Sequence, residues 1–435
     1  QKATQGISMV ANTALATAAA SFAGVALATV GGIRSLIAFE DAFAGIKKTV
    51  DADAETIKKL ETEVRILATT LPVAATELAR VGELGGQLGI KAGNLITFIE
   101  TVTKLSVATV LSTENAALAL ARLGAIANIP EAQLDDFFER TASSLVDLGN
   151  NFAATEDEII TTVLRIATAA EQTGASTQDA LAFATALQAI GVPSQAGGTA
   201  VSRVFQEIQR AIQSGGEQLQ LFAEISGMTV TEFSRSFGED AAMTVVRFIE
   251  GLGDAEDVVQ NVQNVLQKLN LSQRRTQLAI GGLAEARGLL IDTLMTARNA
   301  YEANIALEIE AAKKFNTTAQ QLQLLKNQYK EFSMELGERF LPTLRQIIFS
   351  VQSMVNALDP EKAMGMGRFM FFIASAMVGV KILTKVLLNA AKSGTLFAGV
   401  MATIQAVSQS GALAIGLFVA GIAATALAFQ RIGSL

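Results

Sequence analysis

TEDEIITTVLRIATAAEQTGASTQDALAF, residues 155–183, decides the fold class. Thr155 and Glu158 have capping-box spacing, in which the hydroxyl and the carboxylate each satisfy a free N–H at a helix start. Ser176 and Asp179 repeat the pattern in a weaker form, with Asp at the third position. Gly174 stands ahead of the second start, and Phe183 sits inside the apolar stretch that follows. The stretch therefore reads as helix, glycine turn, helix.

The pattern extends in both directions. Thr229 and Glu232 form a further capping box, and Pro72, Pro130, Pro193 and Pro342 mark expected breaks, because proline cannot continue a helix interior. Apolar residues recur at three and four: Ile57, Leu60, Val64 and Leu67, then Leu95, Phe98, Val102 and Leu105. Strict alternation is scarce, so an all-α fold with essentially no sheet is expected. Residues 87–98 (QLGIKAGNLITF) echo residues 172–183 (QTGASTQDALAF), and the helix after each carries an arginine, Arg122 or Arg203. We read these as two related helical hairpins.

The ends differ from the middle. No charged residue occurs from Ala3 to Ile33 or from Ser393 to Gln430. Residues 7–39 and 411–429 are each long enough to cross a bilayer, for which about 20 apolar residues suffice. Both carry small residues at four-residue spacing, Gly24, Ala28 and Gly32 in the first and Ala412, Gly416, Ala420 and Ala424 in the second. Such seams let helices approach closely. Two readings stand: true membrane spans, or helices packed against their own copies in an assembly. The N-terminal run lacks the basic region of a signal peptide beyond Lys2 and is longer than the usual apolar core. The chain starts at Gln1, so we expect it to be a piece of a longer protein.

Between core and C-terminal run, Leu325, Tyr329, Phe332 and Leu336 follow heptad-like spacing, as do Leu344, Ile348, Val351, Val355 and Leu358. Two short blocks favour helix association without making a long coiled coil. The Met-rich stretch 364–377 reads as packing material, and Lys381, Lys385 and Lys392 suit an interfacial helix whose lysines snorkel. The expected organisation is an elongated helical protein in four parts. These are an N-terminal hydrophobic helix (1–39), a helical-hairpin core (40–298), a short coiled-coil-like segment (299–359) and C-terminal hydrophobic helices (360–435).

Composition excludes more than it suggests. The 435 residues contain no His and no Cys. A Ser-His-Asp triad, an HExxH zinc helix, a thiolate nucleophile and a disulfide framework are thus impossible in this chain. No P-loop run occurs, and the net charge of −7 argues against a DNA-binding surface. Arg274 and Arg275 alone are too few to claim nucleic acid. Three acidic clusters occur: Asp135, Asp136 and Glu139; Glu156, Asp157 and Glu158; Asp254, Glu256 and Asp257. Each reads better as a helix start complementing the dipole than as half of a glycosidase pair. Gly85-Gly86-Gln-Leu-Gly89 lacks the strand and lysine of a phosphate loop and reads as a helix C-cap. No catalytic, cofactor or metal residue is expected, and no enzyme.

Several stretches taken in order resemble one family. They are FEDAFAGIKKTV (39–50), ELARVGELGGQLGI (77–90), FIETVTKLSVAT (98–109) and AALALAR (116–122). They continue with TEDEI (155–159), AIGV (189–192), AGGTAVSR (196–203) and ELGERFLPTL (335–344). Together they resemble the core of phage tail-length tape-measure proteins. The resemblance implies a virion protein in the lumen of the tail tube that sets tube length during assembly. It implies release ahead of the DNA and help in forming a channel through the host membrane. It also implies partners: copies of itself, the tail tube protein, tail tip or baseplate hub proteins and tail assembly chaperones. No sequence-specific nucleic-acid binding is implied. As one continuous helix the chain would reach about 650 Å, but the capped breaks argue against a single rod. The alternative is a dedicated membrane pore with no length-determining role.

Overall fold

The computed structural model describes residues 34–254, 258–335 and 338. Residues 38–328 form one compact unit. The described helices are α1 (34–49), α2 (Ala54–Thr70), α3 (Ala75–Gln87), α4 (Ala92–Ala108), α5 (Thr113–Ile126), α6 (Leu134–Asn151), α7 (Glu156–Gln172) and α8 (Thr177–Ala189). They continue with α9 (Ser194–Ser214), α10 (Glu217–Ile225), α11 (Val230–Glu239), α12 (Ala241–Gly253), α13 (Val258–Lys268), α14 (Arg274–Glu285), α15 (Arg287–Ala303), α16 (Ala306–Phe315) and α17 (318–335). Among the described residues there is no strand.

The ends of these helices are written locally. All three capping boxes are closed, Thr155 with Glu158, Ser176 with Asp179 and Thr229 with Glu232. Asp53, Ser112 and Asp240 cap α2, α5 and α12 through their side chains. Pro72 lies in the α2–α3 connection, Pro130 precedes a single 3₁₀ turn at Glu131–Gln133, and Pro193 immediately precedes α9. Pro342 lies outside the described residues. The Gly85–Gly89 run is the expected C-cap: Gly89 has φ +86°, and the Ile90 N–H returns to the Gly85 carbonyl at 3.0 Å. That six-to-one bond across a left-handed residue is the Schellman arrangement.

The core is a stack of three layers. Helices α3, α5, α7 and α9 lie side by side in one layer, and α4, α6 and α8 in the next. Helix α15 covers α6 and α8, while α16 covers α4 and α6. The middle layer is consequently the most apolar, with Phe98, Phe138 and Phe183 fully buried. Phe98 meets Phe138 edge-on at 5.3 Å, an arrangement contributing about 1 kcal/mol beyond area burial. Helices α10, α11 and α12 form a smaller cluster around Phe222, Phe233 and Phe248, joined to the stack through α14 and α9.

Within this unit the helices turn back on one another, so the elongated form expected from the sequence does not describe residues 38–328. Its cause is the frequency of capped breaks, which leaves no helix longer than α9. The boundary drawn at 298/299 falls inside α15, and α16 belongs to the same stack. Of the first heptad block, Leu325, Tyr329 and Phe332 lie on α17 and are exposed. Leu336 and the block 344–358 lie outside the described residues. So do residues 1–33 and 360–435, with Gly24, Ala28, Gly32, Ala412, Gly416, Ala420 and Ala424. Among the described residues no helix is long and apolar enough to cross a membrane.

Candidate interaction surface

The polar chemistry of the unit is concentrated where helices distant in sequence are tied together. Arg298 on α15 donates from Nε to Asp179 at 2.7 Å, and from its two terminal nitrogens to Asp240 at 2.8 and 2.9 Å. Asp179 simultaneously accepts the Ser176 N–H, and Asp240 the Met243 N–H. One guanidinium thus ties α15 to the starts of α8 and α12. Burial works to raise the Asp240 pKa, but its bond from Arg298 and the Met243 N–H outweigh burial and hold it below the ordinary value. Arg298 is held well above the usual range, first by Asp240.

Four further ties hold α15 and α16. Ser144 donates to the Ala297 carbonyl at 3.0 Å, and Arg140 donates to the carbonyls of Tyr301 and Glu302, both at 3.1 Å. These contacts run in opposite directions along the two helices, so α15 is antiparallel to α6. Ser143 accepts the Leu307 N–H at the start of α16. Lys104 on α4 bonds Glu100 at 2.8 Å and also Glu308 on α16. Burial works against its ammonium, but these carboxylates prevail and raise its pKa. Nearby Glu139 is raised by burial.

The outer layer presents a different surface. Asn115 at the start of α5 donates to Asp157 at the start of α7 at 3.0 Å. Ser202 and Gln209 on α9 donate to the carbonyls of Arg165 and Gln172 at 2.8 and 3.1 Å. The two α7–α9 bonds keep sequence direction, and residues 115–122 of α5 line one cleft with 157–165 of α7 from start to start, so α5, α7 and α9 run parallel. Between α5 and α7 lies a cleft of about 390 Å³, floored by Leu118, Ala119, Ile160 and Leu164 and edged by Arg122 and Arg165. Gly198 on α9 lets the Arg165 stem lie against the neighbouring backbone.

Asp135 and Asp136 lie in the first turn of α6, and Glu156, Asp157 and Glu158 in that of α7. Glu256 and Asp257 lie outside the described residues. Among the described residues no group of acidic side chains is arranged to hold a metal ion. Sequence reasoning singled out Arg122 and Arg203 but missed Arg165, Arg298 and their setting. Each is one arginine on a helix, and nothing adjacent in sequence marks what it meets.

The family profile described as phage-related minor tail protein matches residues 61–279, half of the chain. The chain belongs to this family. The match starts inside α2 and ends inside α14, so it spans the first two layers of the stack and the α10–α12 cluster. Membership makes the chain a phage tail protein, placed in the virion tail among other tail components. No curated protein and no solved structure matches it.

Proposed function

We propose that this minor tail protein is a tape measure. In this reading it occupies the tube lumen, sets tube length during assembly, and leaves ahead of the DNA. Its uncharged ends then insert in the host envelope and help to form the channel. It works as a structural protein, not as an enzyme, and needs no cofactor. Its partners are its own copies, the tube protein, tip or baseplate hub proteins, assembly chaperones and, after release, the host membrane. The observation that carries the reading is the family match, laid over a helical array in which the acidic clusters Asp135–Asp136 and Glu156–Glu158 stand at helix starts and Arg298 and Lys104 tie helices together.

The test is tail length. Deleting 299–341 would remove the end of α15 and all of α16, so it would report folding as much as measuring. In-frame deletion of 343–392 leaves the compact unit whole. At about 1.5 Å per helical residue it should shorten the tail by roughly 75 Å in electron micrographs. Infectious particles with unchanged tails would refute length-setting by this chain segment. The channel role has its own test. A charge at the centre of a membrane helix costs about 2.5–3.5 kcal/mol on insertion scales, so Gly416→Arg should slow DNA delivery at unchanged tail length. Delivery at the wild-type rate would refute it.

A further inference from the structure

Arg122 and Arg165 line the same α5–α7 cleft. Arg140, Arg210, Arg287 and Arg298 each reach a carboxylate. Arg122 and Arg165 are exposed, and among the described residues their guanidinium groups have no ion-pair or hydrogen-bond partner. They lie at one end of the α5–α7 cleft. The other end is closed by the Asn115–Asp157 bond, and between them lie the aliphatic Leu118, Ala119, Ile160 and Leu164 with Thr161 beside them. From Asn115 to Arg122 the cleft runs about 10 Å along the parallel helices. An aliphatic floor that ends in two guanidinium groups matches a ligand with an apolar body and one anionic end. Arginine pairs suit carboxylates because their donors match both oxygens.

The surroundings choose between kinds of anion. Glu114 and Glu156 stand at the starts of the same two helices, beside Asp157, and the chain carries a net charge of −7. A polyanion such as nucleic acid would meet those carboxylates along its length, whereas a single carboxylate held between the arginines would not. We propose that the α5–α7 cleft docks a segment of another protein that presents one carboxylate beside an aliphatic side chain, with Arg122 and Arg165 clamping the carboxylate and Leu118, Ile160 and Leu164 receiving the side chain. This assignment does not depend on whether the chain sets tail length.

The test uses the full chain in detergent micelles with ¹⁵N-labelled arginine, observed at the side-chain Nε–H signals. The probe is the peptide acetyl-Ala-Leu-Ala-Ala-Glu-amide, its control the same peptide ending in Gln, and a third arm is a short DNA duplex. The Glu peptide should shift the two signals that Arg122→Gln and Arg165→Gln remove. It should saturate in the millimolar range, and each substitution should weaken it about tenfold, the loss expected for about 1.4 kcal/mol. Both arginines are exposed, so the variants should keep the wild-type circular dichroism and melting. Three results would overturn the proposal: no shift at about 10 mM peptide, ten times a millimolar Kd; equal shifts from the Glu and Gln peptides; or shifts from DNA but not from peptide. Loss of self-association in the double variant, unaffected by the Glu peptide, would replace it with an interface between copies.

Discussion

Arg298→Met should be among the most damaging single changes on the surface of the stack. The methionine keeps most of the aliphatic stem and removes three charge-assisted bonds. The Asp179 side chain is only 6% exposed, so its half of the tie behaves as a buried pair, and losing its partner costs about 3 kcal/mol. The Asp240 side chain is 37% exposed, and its half is treated as a surface pair contributing at most about 1 kcal/mol. The sum is about 3–4 kcal/mol. At roughly 2 °C per kcal/mol for a large domain, the melting temperature should fall by about 6–8 °C. Thermal and urea unfolding followed by circular dichroism measure the loss. A double-mutant cycle with Asp179→Asn isolates the pair, since asparagine keeps an oxygen for the Ser176 N–H. The coupling should be about 2 kcal/mol. A loss below about 1 kcal/mol for Arg298→Met, or additive behaviour in the cycle, would refute the view that this arginine closes the stack.

The same tie predicts a pH dependence. Asp240 is held below its ordinary 3.8 in the folded chain, so its contribution is present above the unfolded pKa and is lost as pH falls through the lower, folded one. The stability gap between wild type and Arg298→Met should therefore be full at neutral pH and shrink below about pH 3.8, and a gap that widens in acid would contradict it. Gly251→Ala should cost about 3 kcal/mol, because a Cβ there would stand 1.7 Å from the Ile225 carbonyl oxygen, while Gly281→Ala in α14, whose nearest contact is 3.7 Å, should stabilise by about 0.5–1 kcal/mol. Urea titration of the two variants distinguishes these signs. Thr155→Ala opens a capping box at the start of α7 and should cost about 1 kcal/mol in the same assay.

Local features were legible in the sequence because local physics makes them. Caps at Thr155, Ser176 and Thr229, the Gly89 turn and the helix starts after Pro130 and Pro193 each depend on residues within about one turn. The echo of 87–98 in 172–183 also has a local cause. Gly89 and Gly174 have φ +86° and +83°, and each is followed by a return bond to the preceding helix, from Ile90 to Gly85 and from Ala175 to Ala170. Each marks the passage from an outer helix to a middle one, α3 to α4 and α7 to α8. The unit between them was invisible because its left-handed residue is Asn128, at φ 49°, and the Pro130 turn precedes its middle helix. The bond from Ile129 to Gly124 shows the same cap. The stack thus repeats helix, left-handed cap, helix three times, and only the two glycine copies resemble each other as strings. The arginines that matter were not legible, because Arg298 meets residues 119 and 58 positions away.

That third layer also limits what the matched segment can do alone. The family match ends at 279, within α14, yet α15 and α16 lie beyond it and close the stack over α6 and α8. Leu290, Leu294 and Leu307 are buried there, with Ala297 and Ala311. Burying a leucine contributes about 1.5–3 kcal/mol, so the three leucines alone contribute about 5–9 kcal/mol. That is comparable to the whole net stability of a domain, about 5–15 kcal/mol. Removing them also uncovers the apolar faces of α6 and α8 and leaves Asp179 and Asp240 without Arg298. A fragment of residues 38–279 should therefore lack cooperative melting and bind hydrophobic dye, whereas 38–328 should melt in one sharp transition. If 38–279 melts cooperatively within a few degrees of the longer fragment, α15 and α16 are a covering on a complete core. If it does not, the folding unit of this tail protein extends past the region that identifies its family, and deletions used to test length-setting must begin after 328.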